Sequence, residues 1–575
     1  MGNRSGVWGF FLIIALIAVI ILQITSMVQS DRFYSSLNRL DDILSGRLYR
    51  GRKISDSNFD SSKDVNSGDW LIWGTTKEPG TINPITRRDI YATWVVWRNI
   101  FEGLLDYDYD SLELKPCLAD RYEISEDGLE ITFYIRDDVH FSDGVPITAD
   151  DVIFTYETIN NPGVDAAHWA NYFRDIKEAI KIDDRTVSFV LKQPYFKALE
   201  ITSFQDVGII PKHIYEFTDA AEFNRRRSAP VGSGPYIFEK WDVGQQIVLT
   251  RNENYWGTKP KLNKIVFKFI TNDVAALQAF EAGNIDFLEP LPEQFADKLE
   301  DEAFTSKFKC LSYFTPKVPY FYIGWNNNSV FFKDRQVRLA MTHLIDREQI
   351  IEYLLKGQAK PTTGPFYIYG PQTDPDIEPW PYNPQEAARL LDEAGWVDSD
   401  GDGLRDKDGV PFRFKLMIRS GDPYYERLAK FIKDEALNIG IEVVIDLFEW
   451  SIFIERLLDR KFDAQISGWG GVVEEDPYQV WHSSQATDRG SNHVSFSNKE
   501  ADKIIEQARR TLDSETRNEL YRRFHRIVHE EQPYTFLYIR PEMRFLHPRF
   551  ENVNIYRLDL DWLQWYVPIE KQKYR

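Results

Sequence analysis

The chain has 575 residues, of which 27% are charged and 14% aromatic, and its formal net charge is −20 at pH 7. This length predicts at least two lobes rather than one hydrophobic core, and the acidic excess argues against a nucleic-acid partner, which needs a concentrated basic surface. With Cys117 and Cys310 as its only cysteines, the sequence has neither a disulfide framework nor a cysteine-based metal cluster, and we expect both thiols to stay unpaired.

The N-terminal segment is apolar from Val7 to Leu22 apart from Gly9, and a milder stretch that contains Gln23, Thr25 and Ser26 extends it to Val28. As a helix it would be about 33 Å long, enough to cross a hydrocarbon core of about 30 Å. The alternative is a cleaved signal peptide, whose apolar region is usually about 7–15 residues and ends in small residues before the cut. Residues 23–30 offer no clean site of that kind, so we predict a transmembrane anchor over residues 1–28.

Residues 29–68 combine a leucine stripe with a polar linker. From Phe33 onward, leucines recur at helical spacing up to Leu48, which predicts an amphipathic helix that lies on a membrane or pairs with a second helix. Residues 33–48 are therefore a candidate surface for homo-oligomerisation. Residues 51–68 are rich in Ser, Asp and Asn and predict a flexible tether.

The body of the chain alternates strand and helix patterns, which is typical of α/β domains. We predict strands at 69–73, 129–135, 139–141, 236–241, 246–251, 265–270, 285–287, 413–418 and 441–447. We predict helices at 91–104, 148–159, 272–282, 336–345, 347–355, 384–394, 424–437 and 450–460. Thr148 with Asp151 resembles a capping box at the start of the second helix.

A glycine-rich corner follows the last of these helices. Residues 462–467 alternate apolar and polar side chains like a half-buried strand, and Gly468, Gly470 and Gly471 then surround Trp469. The next residues bring acids and aromatics together in one short loop: Glu474, Glu475, Asp476, Tyr478 and Trp481. Binding residues tend to collect on such loops, but a solvated acidic turn with two core aromatics fits the same residues.

A second acidic turn resembles the first part of a calcium loop. Asp398, Asp400, Asp402 and Asp406 occupy positions 1, 3, 5 and 9, but Gly409 stands where the bidentate Glu is needed. The turn is either a weak calcium site or a simple Asp/Gly-rich turn. Elsewhere, His525 and His529 are spaced i, i+4, but without an HExxH order we predict a solvated helix face.

The sequence contains no recognisable motif for a catalytic nucleophile, a catalytic base or a phosphate-binding loop. Gly232, Ser233 and Gly234 do not form a GxSxG elbow, and no GxxxxGK[ST] motif is present. We therefore predict that the protein is not an enzyme and needs no cofactor beyond the candidate calcium ion.

Several segments together resemble a known family. They are DGLEITFYIRDDVHFSDGVPITADDV (127–152), GSGPYIFEKWDVGQQIVLTRNENYW (232–256), AFEAGNIDF (279–287), DRQVRLAMTHLIDREQI (334–350), AARLLDEAGW (387–396) and the GW…DPY…WHSSQ block. In this order they are similar to the family 5 extracellular solute-binding proteins of ABC transporters, which include oligopeptide- and dipeptide-binding proteins. The likeness runs from about Asp69 to the C-terminal region.

The resemblance implies a two-lobed, hinged α/β fold of the periplasmic-binding-protein type that closes on a ligand. Lobe I would comprise 69–275 and 535–575, with an extra subdomain near 101–197, and lobe II would comprise 276–534. It further implies a body outside the cytoplasmic membrane, a peptide or other small solute as ligand, and ABC permease subunits as partners. A membrane-tethered sensory or structural protein that uses the same fold to recruit a partner is the alternative.

The resemblance also implies where the ligand lies. Gly468, Trp469 and Gly470 would supply backbone groups and a ring wall, and Trp169 and Tyr172 would face them from lobe I. Peptide-binding relatives often carry an Asp where this chain has Val472 and an Arg where it has Ile466. If the ligand is a peptide, the candidates for holding its amine are therefore Glu474 first, then Glu475 or Asp476.

Overall fold

The computed structural model describes residues 67–226, 229–487 and 489–574. The predicted anchor at 7–28, the leucine stripe at 33–48 and nearly all of the tether lie outside these residues. Within the described ranges, no helix has both the length and the apolar character needed to span a bilayer.

The first part of the described chain alternates short helices with twelve strands. In chain order these are β1 (Trp70–Thr75), α1 (Ile90–Val96), β2 (Leu105–Tyr107), β3 (Leu114–Pro116), β4 (Ala119–Ile124), β5 (Glu130–Ile135), α2 (Ala149–Asn160), α3 (Ala167–Ala170), β6 (Ile176–Asp183), β7 (Thr186–Leu191), α4 (Ala198–Thr202), α5 (Lys212–Tyr215), α6 (Ala220–Arg225), β8 (Tyr236–Asp242), β9 (Gln246–Arg251), β10 (Lys264–Phe269), α7 (Asp273–Glu281), β11 (Phe287–Leu288), α8 (Pro292–Leu299), α9 (Glu302–Thr305) and β12 (Lys309–Tyr313).

The second part has longer helices. Its elements are β13 (Tyr320–Trp325), α10 (Arg335–His343), α11 (Arg347–Gln349) with a π-helical turn (Ile350–Leu354), β14 (Lys360–Pro361), α12 (Pro384–Glu393), β15 (Asp406–Lys407), β16 (Val410–Pro411), β17 (Arg413–Arg419), α13 (Pro423–Leu437), β18 (Glu442–Phe448), α14 (Trp450–Leu458), β19 (Ala464–Trp469), α15 (Tyr478–Trp481), α16 (Lys499–Arg510), α17 (Ser514–Glu531), β20 (Tyr534–Ile539) and β21 (Glu542–Leu546).

Two large mixed sheets define the two lobes. The sheet of lobe I has seven strands in the order β12-β21-β11-β1-β10-β9-β8, and the sheet of lobe II has six in the order β14-β20-β13-β19-β17-β18. Each sheet packs in hydrophobic clusters of its own. Parallel pairs such as β1 with β10 and β17 with β18 need helical crossovers, which is the α/β architecture that the sequence pattern predicts.

The chain passes between the lobes twice. It enters lobe II between Tyr313 and Tyr320 and returns between Ile539 and Glu542, because β11 and β12 pair within the first sheet and β20 pairs within the second. These crossings differ from the expected boundaries at 275/276 and 534/535. Strand patterns in the sequence do not reveal which sheet a strand will join, and β21 completes the first sheet only in the folded chain.

A smaller antiparallel sheet, β4-β5-β7-β6, lies within the expected extra subdomain. The helix α2 contacts β6 and β7 and begins with the predicted capping box, since the backbone N of Thr148 donates to Asp151 Oδ2 at 2.9 Å. The predicted strand at 139–141 is only an isolated bridge between His140 and Pro146. The first predicted helix ends early, because Trp97 is already extended.

Candidate functional site

The glycine-rich corner packs directly against the first crossing between the lobes. β19 runs antiparallel to β13 and ends at Trp469, opposite Tyr320. A Cβ atom on Gly471 would lie 2.2 Å from the carbonyl oxygen of Pro316, whereas one on Gly470 would meet nothing within 4 Å. Glycine is therefore required at 471 by the close approach of the two chain segments, while the backbone at 470 stays open on one side.

The two tryptophans of this region have different environments. The partly exposed ring of Trp469 stacks on His493 with centroids 5.5 Å apart, and its indole N–H donates to Tyr534 Oη at 3.3 Å. Trp481, which we expected beside the ligand, is only 1% exposed. It packs 4.6 Å from the ring of Tyr534 in the core of lobe II, because the short helix α15 turns it inward. In this structure Trp481 supports the corner and offers no surface to a ligand.

Two of the three neighbouring acids already have charged partners. Arg517 donates to Glu474 Oε1 at 2.7 Å from Nη2 and at 2.8 Å from Nε. Asp476 Oδ2 accepts from Tyr195 Oη at 2.7 Å and from Arg509 Nε at 3.0 Å. Glu474, the first sequence candidate for holding a ligand amine, is thus engaged within lobe II, and Asp476 is a buried structural carboxylate.

Glu475 is different. Its backbone is fixed by Gln372, which accepts from the Glu475 amide at 2.9 Å and donates to its carbonyl at 2.8 Å. Its carboxyl makes no hydrogen bond or ion pair with any residue that the structure describes. Burial raises the pKa of this carboxyl to about 8; Lys197 opposes the shift, and Asp476 and Glu200 add to it.

A small cavity of about 20 Å³ adjoins Glu475. Its remaining walls come from the first crossing and the start of β13, from the end of β20, from the loop at 365–372 and from the glycine corner, and they are lined by Pro316, Val318, Tyr320, Pro365, Phe366, Tyr367, Gly370, Pro371, Gln372, Gly471, Val472, Val473 and Ile539. Mostly apolar walls with a few polar groups are typical of small-molecule sites, and with the lobes together the space holds about one water molecule.

Lobe I faces this corner with aromatic and basic side chains. Tyr172 is 40% exposed; the burial of the rest of its side chain, together with the charge of Glu475, raises its pKa to about 12. The Trp169 ring lies 5.4 Å from the guanidinium of Arg87, and its buried indole N–H has no acceptor among the described residues. Lys197 Nζ donates to the carbonyl oxygen of Glu474 at 2.8 Å across the lobes.

Sequence reasoning missed Lys197, Gln372, Arg509 and Arg517. Each is distant in sequence from the acid or backbone group that it contacts, and none stands in a motif. Only pairing in the folded chain identifies these four residues.

The second acidic turn brings part of the predicted calcium loop together. Carboxylate oxygens of Asp398, Asp400 and Asp402 lie within 4.8 Å of one another and are exposed. Asp406 instead accepts from the hydroxyl and the amide of Ser399, at 2.7 and 3.0 Å, and these hydrogen bonds lower its pKa. The first three predicted ligands thus converge, and Asp406 is engaged elsewhere in the turn.

The prediction of a solvated face at His525 is wrong. His525 is 1% exposed; its Nδ1 accepts from the Asp374 amide at 3.1 Å, and Thr363 Oγ1 lies 3.1 Å from its Nε2. Burial lowers its pKa to about 4. His529 stacks on Trp380 at 5.2 Å, so both rings serve packing in lobe II.

Comparison with known proteins places this geometry in a family. The family model described as bacterial extracellular solute-binding proteins, family 5 (middle), matches residues 113–491. The chain belongs to this family. Among curated family members, the oligopeptide-binding protein AppA of Bacillus subtilis is 34% identical over 506 residues, covering 85% of this chain and 89% of AppA. Protein XP55 of Streptomyces lividans is 31% identical, covering 81% and 83%.

Solved structures of family 5 proteins have the same fold. AppA of Bacillus subtilis in complex with a nonapeptide superposes with a TM-score of 0.77 at 30% identity, over 88% of this chain and 99% of that one. NikZ of Campylobacter jejuni in complex with Ni(L-His) gives 0.74 at 27% identity, over 86% and 99%. The two-lobed fold expected from the sequence is thereby confirmed, and these two family members are named with different ligands.

Proposed function

We propose that this family 5 protein captures a peptide or related small solute between its lobes and delivers it to an ABC permease. The observation that supports this most is the unpaired carboxyl of Glu475, which lines a small, mostly apolar cavity beside the first crossing between the lobes. The relative solved with a nonapeptide makes peptide the first ligand class to test. The alternative, a membrane-tethered sensory or structural protein, is not favoured by the oligopeptide-binding relative.

The proposal places the body outside the cytoplasmic membrane, held by a single-pass anchor at 7–28. The family name supports an extracellular body, and the anchor rests on the length of the apolar run in the sequence. Self-association through 33–48 is a separate proposal with the same sequence basis.

In the proposed complex, Glu475 replaces Glu474 as the group that holds a ligand cation such as a peptide amine. Gly468 and Gly470 supply backbone groups, and Trp469 and Tyr172 supply ring surfaces. Trp169 lines the lobe I side, with Tyr478 at the edge of the corner. A cation that approaches Glu475 favours the ionised carboxyl, so binding releases the proton that burial retains there.

The first experiment is native mass spectrometry of the full chain in detergent, which should reveal a co-purified solute. Calorimetry then compares that solute with a version whose amine is acetylated. A charge-assisted hydrogen bond contributes roughly 1.5–3 kcal/mol, so Glu475→Gln and acetylation should each weaken binding about ten- to a hundredfold. Glu519→Gln, an exposed change on α17, is the control. Equal affinity for the free and the acetylated solute would rule out the proposed contact between Glu475 and the ligand amine.

A further inference from the structure

A group of direct contacts joins the lobes beside the ligand corner; we call Tyr195, Phe196 and Lys197 of lobe I with Asp476 and Arg509 of lobe II the interlobe clasp. Tyr195 donates its hydroxyl to Asp476 at 2.7 Å, and the Phe196 amide donates to the carbonyl oxygen of Arg509 at 3.0 Å. Lys197 contacts the backbone of the same turn. The clasp therefore forms only when the lobes are together.

Arg509 is the member of the clasp whose side chain pairs with acids of both lobes. Its Nε lies 3.0 Å from Asp476 Oδ2 in lobe II, and its Nη2 lies 2.9 Å from Asp175 Oδ2 in lobe I. Its guanidinium also lies 4.5 Å from the ring centroid of Tyr195 and 4.4 Å from that of Tyr478. These side chains are largely buried, so solvent screens the two ion pairs only weakly.

Through Asp476, Arg509 also contacts the turn that carries Glu475. Asp476 directly follows Glu475, and its Oδ1 also accepts from the Tyr478 amide at 3.1 Å. Arg509 thus fixes the turn that presents Glu475, while Asp175 holds Arg509 from the opposite lobe. The guanidinium of Arg509 therefore contacts both the carboxylate of lobe I and the turn that carries Glu475.

We propose that Arg509 is a positioning residue that couples lobe closure to the Glu474–Asp476 turn and favours the closed form before ligand arrives. The role of the turn in ligand contact rests on the proposed function; the clasp itself does not. Arg509 acts through Asp476 and Asp175 and touches no ligand. A closed form populated in advance raises the apparent ligand affinity in proportion to its population.

Hydrogen exchange of the Phe196 amide tests the clasp in the ligand-free full chain. This amide donates across the lobes to a backbone carbonyl, so side-chain substitutions leave both atoms in place and exchange reports opening. Asp175→Asn removes the negative charge that pairs with Arg509 from lobe I and keeps an oxygen that can accept from Gln193. Because this substitution weakens a hydrogen bond between two charged groups, it should accelerate exchange of the Phe196 amide about ten- to a hundredfold. Arg510→Gln, the exposed neighbour on α16, is the matched control and should change nothing.

Coupling is tested by adding Arg509→Gln. The single change should accelerate exchange at Phe196 and at the Tyr478 amide, and the double variant with Asp175→Asn should exchange Phe196 no faster than Arg509→Gln alone. Additive effects, or wild-type exchange in Asp175→Asn, would overturn the proposal. Since no ligand is present, the result stands whether or not the proposed solute capture is later supported.

Discussion

Replacing Glu475 by Gln should stabilise the ligand-free protein at neutral pH although it weakens ligand binding. The carboxyl has a pKa of about 8 in the fold against an ordinary 4.5, so the native state holds a proton that the unfolded chain has released. The resulting reduction in the free energy of unfolding is absent below about pH 4.5, grows between pH 4.5 and pH 8, and is constant above pH 8. At 1.36 kcal/mol for each pH unit it reaches about 3 kcal/mol at pH 7, as an order-of-magnitude upper value.

Urea unfolding, followed by tryptophan fluorescence across pH 4.5 to 8.5, measures this difference. Glu475→Gln and wild type should have similar free energies of unfolding at pH 4.5, and the variant should gain steadily toward pH 8. Glu519→Gln should follow wild type at every pH, because its side chain is exposed. A difference between Glu475→Gln and wild type that stays constant with pH would refute the assignment of a half-buried, protonated carboxyl.

Three further predictions concern the corner, the acidic turn and the N-terminus. Gly471→Ala should lower the melting temperature, because its Cβ would overlap the carbonyl of Pro316, while Gly470→Ala should not; thermal unfolding of the matched pair decides it. Calorimetry with calcium should give at most weak binding, with Kd of about 0.1–1 mM or above, that Asp400→Asn abolishes; unchanged binding in the variant would move the ion elsewhere. Membrane fractionation should retain the full chain, and a soluble mature chain that begins after about residue 28 would contradict the anchor at Val7–Val28.

The sequence by itself determined most of the local structure and the family. Thr148 and Asp151 specify a capping box through contacts three residues apart, and alternation specifies the paired strands at 236–241 and 246–251. Both patterns depend on near neighbours in the chain, which a single sequence displays. The ordered set of motifs from 127 to 485 likewise predicted the family, and through it the two-lobed α/β fold.

Only the tertiary structure decided how the three acids of the ligand corner differ. Glu474, Glu475 and Asp476 are chemically similar neighbours, and the sequence favoured Glu474. Arg517 pairs with Glu474 and Arg509 pairs with Asp476, and both arginines lie more than thirty residues farther along the chain. Lys197, which donates to the Glu474 carbonyl, comes from the other lobe. Charge pairing and burial depend on distance in space, so no local pattern could show that Glu475 keeps an unpaired carboxyl, or that Trp481 and His525 turn into the core.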